Sequence, residues 1–174
     1  MNRVALLLFL ALLRPTGAEA LALPEPVAKE FPGLRFAGEG RLRWFGLHIY
    51  DASLWISGAR WSGEEEFALN IRYAQDVKGS RLVQTSADEM RRLGLADERR
   101  IAKWVDEMTR VMPDVRKGEY LTGVNLPGAG AQFYYQGKIV GMIADPEFAR
   151  AFFAIWLDAR TREPGLRKSL IGSK

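Results

Sequence analysis

The sequence predicts an α+β fold in which a curved antiparallel sheet carries helices on one face. Segments that alternate apolar and polar residues precede, and again follow, a block with helical periodicity. The later strand segments are separated by short Gly-containing turns, which only antiparallel neighbours can use. Each helical segment carries one apolar stripe, so a sheet face must cover it. Of 174 residues, 48% are hydrophobic and 26% charged, which supplies a core and argues against disorder.

Residues 1–20 read as a secretion signal. Arg3 provides the positive start, residues 4–13 are unbroken apolar, and Ala18-Glu19-Ala20 presents small residues where a signal peptidase reads them, so cleavage is expected after Ala20. That apolar run is about half of the roughly 20 residues needed to span a bilayer. No later stretch approaches that length and no cysteine is available for acylation, so no stable membrane anchor is expected. The product is expected to be periplasmic or secreted.

Residues 21–37 contain several prolines and read as an irregular lead-in with one short edge strand at 34–36; a single domain then occupies 38–174. Residues 41–55 read as one long strand or two joined by a bend. Alternation places Arg41, Arg43, Phe45, Leu47 and Ile49 on one face, with Leu42, Trp44, His48 and Tyr50 on the other. In residues 67–73, Phe67, Leu69, Ile71 and Tyr73 alternate with Ala68, Asn70 and Arg72, the signature of a half-buried strand.

Ser86 and Glu89 form a capping-box pattern opening a helix whose Met90 and Leu93 point inward and which Gly94 stops. Asp97 caps the next helix, where Ile101, Trp104, Val105, Met108, Val111 and Met112 make one stripe ending at Pro113. Residues 120–126, 131–135 and 139–143 form a meander with turns at 127–130 and Gln136-Gly137. Asp145-Pro146-Glu147 opens a helix that buries Phe148, Ala151, Phe152, Ile155 and Trp156. Residues 164–170 form a last short helix closed by Gly172.

Composition excludes several chemistries. With 25 Lys and Arg against 21 Asp and Glu, the net charge of +4 is far below that of a nucleic-acid binder. The lack of cysteine removes disulfides, iron–sulfur clusters and thiol nucleophiles, and His48 alone cannot build a histidine metal cage. No metal or cofactor is expected. Gly128-Ala129-Gly130 lies between strands and reads as a hairpin turn, not a phosphate loop; Glu64-Glu65-Glu66 reads as a solvated turn. Arg91, Arg92, Arg99, Arg100 and Lys103 are interleaved with acids, and no Gly-x-Ser-x-Gly elbow occurs.

The strongest candidates for ligand chemistry are Arg41 and Arg43, which share a strand face with apolar residues. A guanidinium in an apolar pocket binds a carboxylate or phenolate bidentately. The alternative is that both arginines snorkel to water at a frayed strand end. Tyr50, Tyr73 and Tyr134 supply hydroxyls to such a pocket, or pack as core aromatics.

Four segments carry a resemblance. Gly46-Leu47-His48-Ile49-Tyr50-Asp51-Ala52-Ser53-Leu54-Trp55, Leu121-Thr122-Gly123-Val124-Asn125-Leu126-Pro127-Gly128, Phe133-Tyr134-Tyr135-Gln136-Gly137-Lys138 and Asp145-Pro146-Glu147-Phe148 resemble the exported bacterial branch of the chalcone isomerase-like family. The similarity spans residues 38–172 and implies an open-faced β-sandwich, with no cofactor. Catalytic members close a chalcone to a flavanone with an arginine, a threonine, a tyrosine, an asparagine and a lysine. Here the threonine position falls on Phe45 and the lysine near Arg81. The tyrosine and asparagine belong near residues 93–104, where neither type occurs, and the arginine aligns with Gly33, with Arg35, Arg41 and Arg43 nearby.

Other branches of the family bind fatty acids through an arginine and a tyrosine. The resemblance therefore implies an exported, non-catalytic protein holding a small hydrophobic carboxylate or phenolic ligand between sheet and helices. Arg41, Arg43, Phe45, Tyr50, Tyr73, Arg81 and Tyr134 are the expected ligand-binding residues. A cofactor-independent intramolecular lyase and an envelope interaction module with a filled pocket are the alternatives.

Overall fold

Six strands follow one another in chain order through a single antiparallel sheet in this computed structural model, which describes residues 21–172. They are β1 (Arg35–Trp44), β2 (Leu47–Ile56), β3 (Phe67–Tyr73), β4 (Tyr120–Leu126), β5 (Gly130–Tyr135) and β6 (Lys138–Ile143). The helices are α1 (Glu25–Glu30), α2 (Gly79–Leu93), α3 (Glu98–Val111), α4 (Pro146–Leu157) and α5 (Pro164–Ile171). The expected secretion signal lies outside the described residues.

The sheet face that carries α2 to α5 holds the main core. Phe67, Leu69, Ile71 and Tyr73 project into it as alternation predicted, against Trp104, Met108, Phe148 and Phe152. Gly38 and Gly40 let α5 lie directly on β1: a Cβ at Gly38 would sit 2.1 Å from the Ser169 carbonyl oxygen.

The opposite face is also partly covered, which corrects the reading of residues 21–37 as an irregular lead-in. That segment holds α1 and the start of β1, and its Leu23, Val27, Phe31 and Leu34 bury Ala68, Val124 and Tyr134. Pro24 and Pro26 sit just before α1 and in its first turn, where no backbone N–H is needed, and Pro32 lies in the turn that follows the helix. A polar row guides this docking. Cross-strand neighbours Ser53, Asn70 and Thr122 are buried together. Ser53 Oγ donates to the Leu21 carbonyl at 2.8 Å, Asn70 Nδ2 to the Ala22 carbonyl at 3.0 Å, and Thr122 Oγ1 to Asn70 Oδ1 at 2.9 Å. Buried polar groups require such partners, so the row specifies where the lead-in lies.

Residues 41–55 are two strands joined by a tight turn rather than by a bend. Phe45 and Gly46 both take positive φ, 46° and 80°, the two-residue geometry that suits strand twist. Gln136 and Gly137 repeat it between β5 and β6, at 51° and 77°. A left-handed conformation costs a non-glycine residue roughly 1–2 kcal/mol.

Helix α2 begins at Gly79, seven residues before the predicted capping box, so Ser86 and Glu89 lie inside it. Its cap is remote: Asp114 Oδ1 accepts from the Gly79 amide at 2.9 Å, and Asp114 Oδ2 accepts from Lys78 Nζ at 2.7 Å. The other predicted caps form. Gly94 is left-handed at φ 66°, Asp97 accepts from the Arg100 amide at 2.8 Å, and Asp145 accepts from the Glu147 and Phe148 amides at 2.9 and 3.2 Å.

Asp158 ends α4 and anchors the connection to α5. Hydrogen bonding from the Arg160 guanidinium, 2.9 Å away through Nε, pulls its carboxyl down to about 2. Because the folded-state value is depressed, the contribution to stability is complete above pH ~4, the unfolded carboxylate value, and is lost as pH falls through 2. Asp158→Asn is expected to lower the urea midpoint at neutral pH, with the difference from the parent closing between pH 4 and pH 2. A difference that stayed constant across that window would remove the assignment.

Candidate functional site

A cavity of about 530 Å³ lies between the helix-bearing face of the sheet, α2, α4 and the segment entering α5. Leu69, Ile71, Leu121 and Phe133 form its sheet wall; Leu82 and Met112 close one side, and Phe152, Phe153, Ile155 and Trp156 another. Gly123 keeps it open, since a Cβ there would press within 3.1 Å of the Phe153 ring. The volume is in the range of small-molecule sites, and the lining is largely apolar.

Its polar groups are few. Trp156 Nε1 donates to the Tyr50 hydroxyl oxygen at 2.9 Å, which leaves the Tyr50 proton free to donate. The Tyr73 ring lies edge-on to Tyr50 at 6.1 Å. Burial pushes both phenols up, assisted by Tyr50 for Tyr73 and by Glu163 for Tyr50, so both are neutral donors at physiological pH. Four further charges line the cavity near its surface, among them Glu163, whose charge helps to raise the Tyr50 phenol. Glu89 accepts from Arg92 at 2.8 Å and is ion-paired with Arg162 at 3.0 Å, one carboxylate shared by two guanidiniums. Arg81, exposed on the first turn of α2, forms no ion pair among the described residues. No group of three or more His, Cys, Asp or Glu side chains among the described residues converges to hold a metal ion.

The sequence profile of a family described as chalcone isomerase-like matches residues 20–172. The chain belongs to the chalcone isomerase-like family. A search of curated proteins finds no match. A crystal structure of a fatty-acid-binding protein from Arabidopsis thaliana matches at TM-score 0.63 and 9% identity, over 80% of this chain and 87% of that one. At that identity the likeness establishes the fold, an open antiparallel sheet with its helices, and not a ligand.

Of the residues the sequence singled out in this chalcone isomerase-like chain, Tyr50, Tyr73 and Arg81 come together at the cavity. The others do not. Leu42 pairs with Tyr50 but Arg43 pairs with His48, so Ile49 is an extra residue in β2 and both Ile49 and Tyr50 line the cavity. This bulge breaks the alternation that put Arg41 and Arg43 on the ligand face with Ile49. Leu42 and Trp44 line the cavity in their place. Arg41 Nε instead donates to Asp51 Oδ1 at 2.7 Å, and His48 Nε2 lies 3.2 Å from the same oxygen. Burial opposes ionisation of Asp51, but Arg41, His48 and Arg72 outweigh it and hold its carboxyl below the usual range.

Arg43 is exposed beside the Gly46 carbonyl, 3.4 Å from Nη1. Phe45, at the tip of the hairpin, is 92% exposed and does not line the cavity. Tyr134 is buried on the other face, edge-on to Phe31 at 6.4 Å, with its hydroxyl bonded to Gln132. Trp156 belongs by its spacing to the apolar stripe of α4, and the structure puts it in the cavity wall. Nothing in a stripe of apolar residues at helical spacing separates a cavity wall from a packed core.

Proposed function

We propose that this protein is a non-catalytic binder of a long-chain fatty acid or a similar single-tailed hydrophobic carboxylate. The observation that carries the proposal is an apolar cavity in which Arg81, the lining guanidinium that has no carboxylate partner among the described residues, accompanies two buried phenols. The acyl chain lies along Leu69, Ile71, Phe133 and Phe152, and the carboxylate reaches Arg81 with a hydroxyl proton from Tyr50 or Tyr73. The fatty-acid-binding protein that shares the fold supports the ligand class. Isomerase chemistry fits less well: His48 is turned away beside Asp51, and Glu89 is committed to two arginines.

The proposal includes export. Cleavage after Ala20 would convert the Leu21 nitrogen, 2.8 Å from Glu39 Oε2, into an ammonium facing a carboxylate. The new terminus would then be paired where it lies.

Native mass spectrometry of the full chain expressed with its leader tests both statements. The expected result is a chain beginning at Leu21 that carries a fatty acid, recoverable by organic extraction and replaceable by added palmitate. A ligand-free chain that takes up no palmitate, or one that turns over chalcone without cofactor, would overturn the binding proposal. Retention of residues 1–20 would overturn export alone.

A further inference from the structure

The β1–β2 hairpin ends in a feature that the fold itself does not reward. Trp44, Phe45 and Leu47 are 65%, 92% and 53% exposed, and the Trp44 and Phe45 rings meet edge-on at 4.9 Å to form one aromatic tip. Phe45 also holds a left-handed conformation that asparagine or glycine would adopt more cheaply. The tip is therefore unfavourable twice, in backbone and in hydration, and nothing within the described residues covers it.

Two observations indicate what does. Arg43 is exposed at the base of the tip and forms no ion pair among the described residues, in a chain of net charge +4. Bulky aromatic and aliphatic side chains flanked by arginine are the composition that settles at a lipid interface, the rings at headgroup depth and the cation against anionic lipid. Trp44, moreover, belongs both to the tip and to the cavity lining. A surface that receives the tip also faces the entrance to the cavity. No described helix is long and apolar enough to cross a membrane.

We propose that the hairpin tip docks on an anionic bilayer, inserting Trp44, Phe45 and Leu47 while Arg43 binds lipid phosphate, and that the cavity exchanges its fatty acid with the bilayer there. The exchange step rests on the binding function proposed above; the docking does not. Insertion of the tip spares the acyl chain a passage through water.

Co-sedimentation of the purified protein with phosphatidylcholine vesicles, with and without phosphatidylglycerol, tests the docking. Binding is expected to require phosphatidylglycerol and to weaken with salt. Phe45→Asn, which suits the turn, is expected to fold as the parent does, bind palmitate in solution as the parent does, and bind vesicles about 10-fold more weakly. Arg43→Gln is expected to lose the preference for anionic lipid. Docking is overturned if the parent ignores vesicles, if Phe45→Asn binds them equally well, or if the tip instead drives lipid-free self-association that Phe45→Asn abolishes. Palmitate binding without vesicle binding would sink docking alone, whereas vesicle binding without palmitate binding would support docking and sink the fatty-acid function.

Discussion

Arg81→Glu is expected to weaken palmitate binding by about 30-fold or more in a fluorescence-displacement titration, with no loss of thermal stability. A hydrogen bond to a charged partner contributes about 1.5–3 kcal/mol, and reversal adds repulsion to the loss. The fold should not suffer, because Arg81 is exposed and has no ion-pair partner among the described residues. Its position also places a cation in the first turn of α2, at the positive end of the helix dipole. Glutamate there is favoured by roughly 0.3–1 kcal/mol, so the variant should be as stable as the parent or slightly more so. A charge that opposes its own helix is better explained by a ligand than by folding. Arg81→Lys should retain part of the affinity, keeping the charge and losing the bidentate geometry. Parental affinity in Arg81→Glu at low salt would eliminate Arg81 as the anchor.

Trp104→Ala is expected to cost about 3–5 kcal/mol of stability, the largest effect of any single side chain considered. Trp104 is 1% exposed and meets Phe148 edge-on at 5.8 Å. Its Nε1 donates to Asp145 Oδ2 at 2.9 Å while the other oxygen of Asp145 caps α4. One residue of α3 thus sets the start of the helix whose Phe152 and Trp156 line the cavity. Trp104→Phe keeps most of the packing and removes the donor, so it should cost about 1 kcal/mol more than its lost area. Urea unfolding of both variants separates packing from the hydrogen bond. Similar midpoints for Trp104→Phe and the parent would show that the bond adds nothing.

Elements whose cause is local were legible in the sequence. Phe67 to Tyr73 alternate because a strand turns each successive side chain to the other face, and that pattern alone assigned the inner residues of β3. Asp97, Gly94 and Asp145 act on amides or carbonyls within a turn of themselves. The Ser86 and Glu89 pattern misled for the complementary reason: the cap of α2 comes from Asp114, far along the chain.

Among the proposed ligand residues the same division holds. Arg41 and Arg43 were placed by extrapolating alternation through a turn and a bulge, and one extra residue at Ile49 is enough to change which side chains share a face. Tyr73 lies in an uninterrupted strand, where alternation gives its face, whereas its meeting with Tyr50 depends on pairing between strands.

Periodicity, short-range capping and composition suffice for the α+β class, the meander of β4 to β6, the apolar stripes of α3 and α4 and the absence of cysteine chemistry. The docking of α1 on the second face through Ser53 and Asn70, the pairing of Arg41 with Asp51 and the meeting of Arg81, Tyr50 and Tyr73 at one cavity come from tertiary contacts. Each of these is a contact between residues distant in the chain. Its energy depends on strand register and helix placement, and neither leaves a local mark in the order of amino acids.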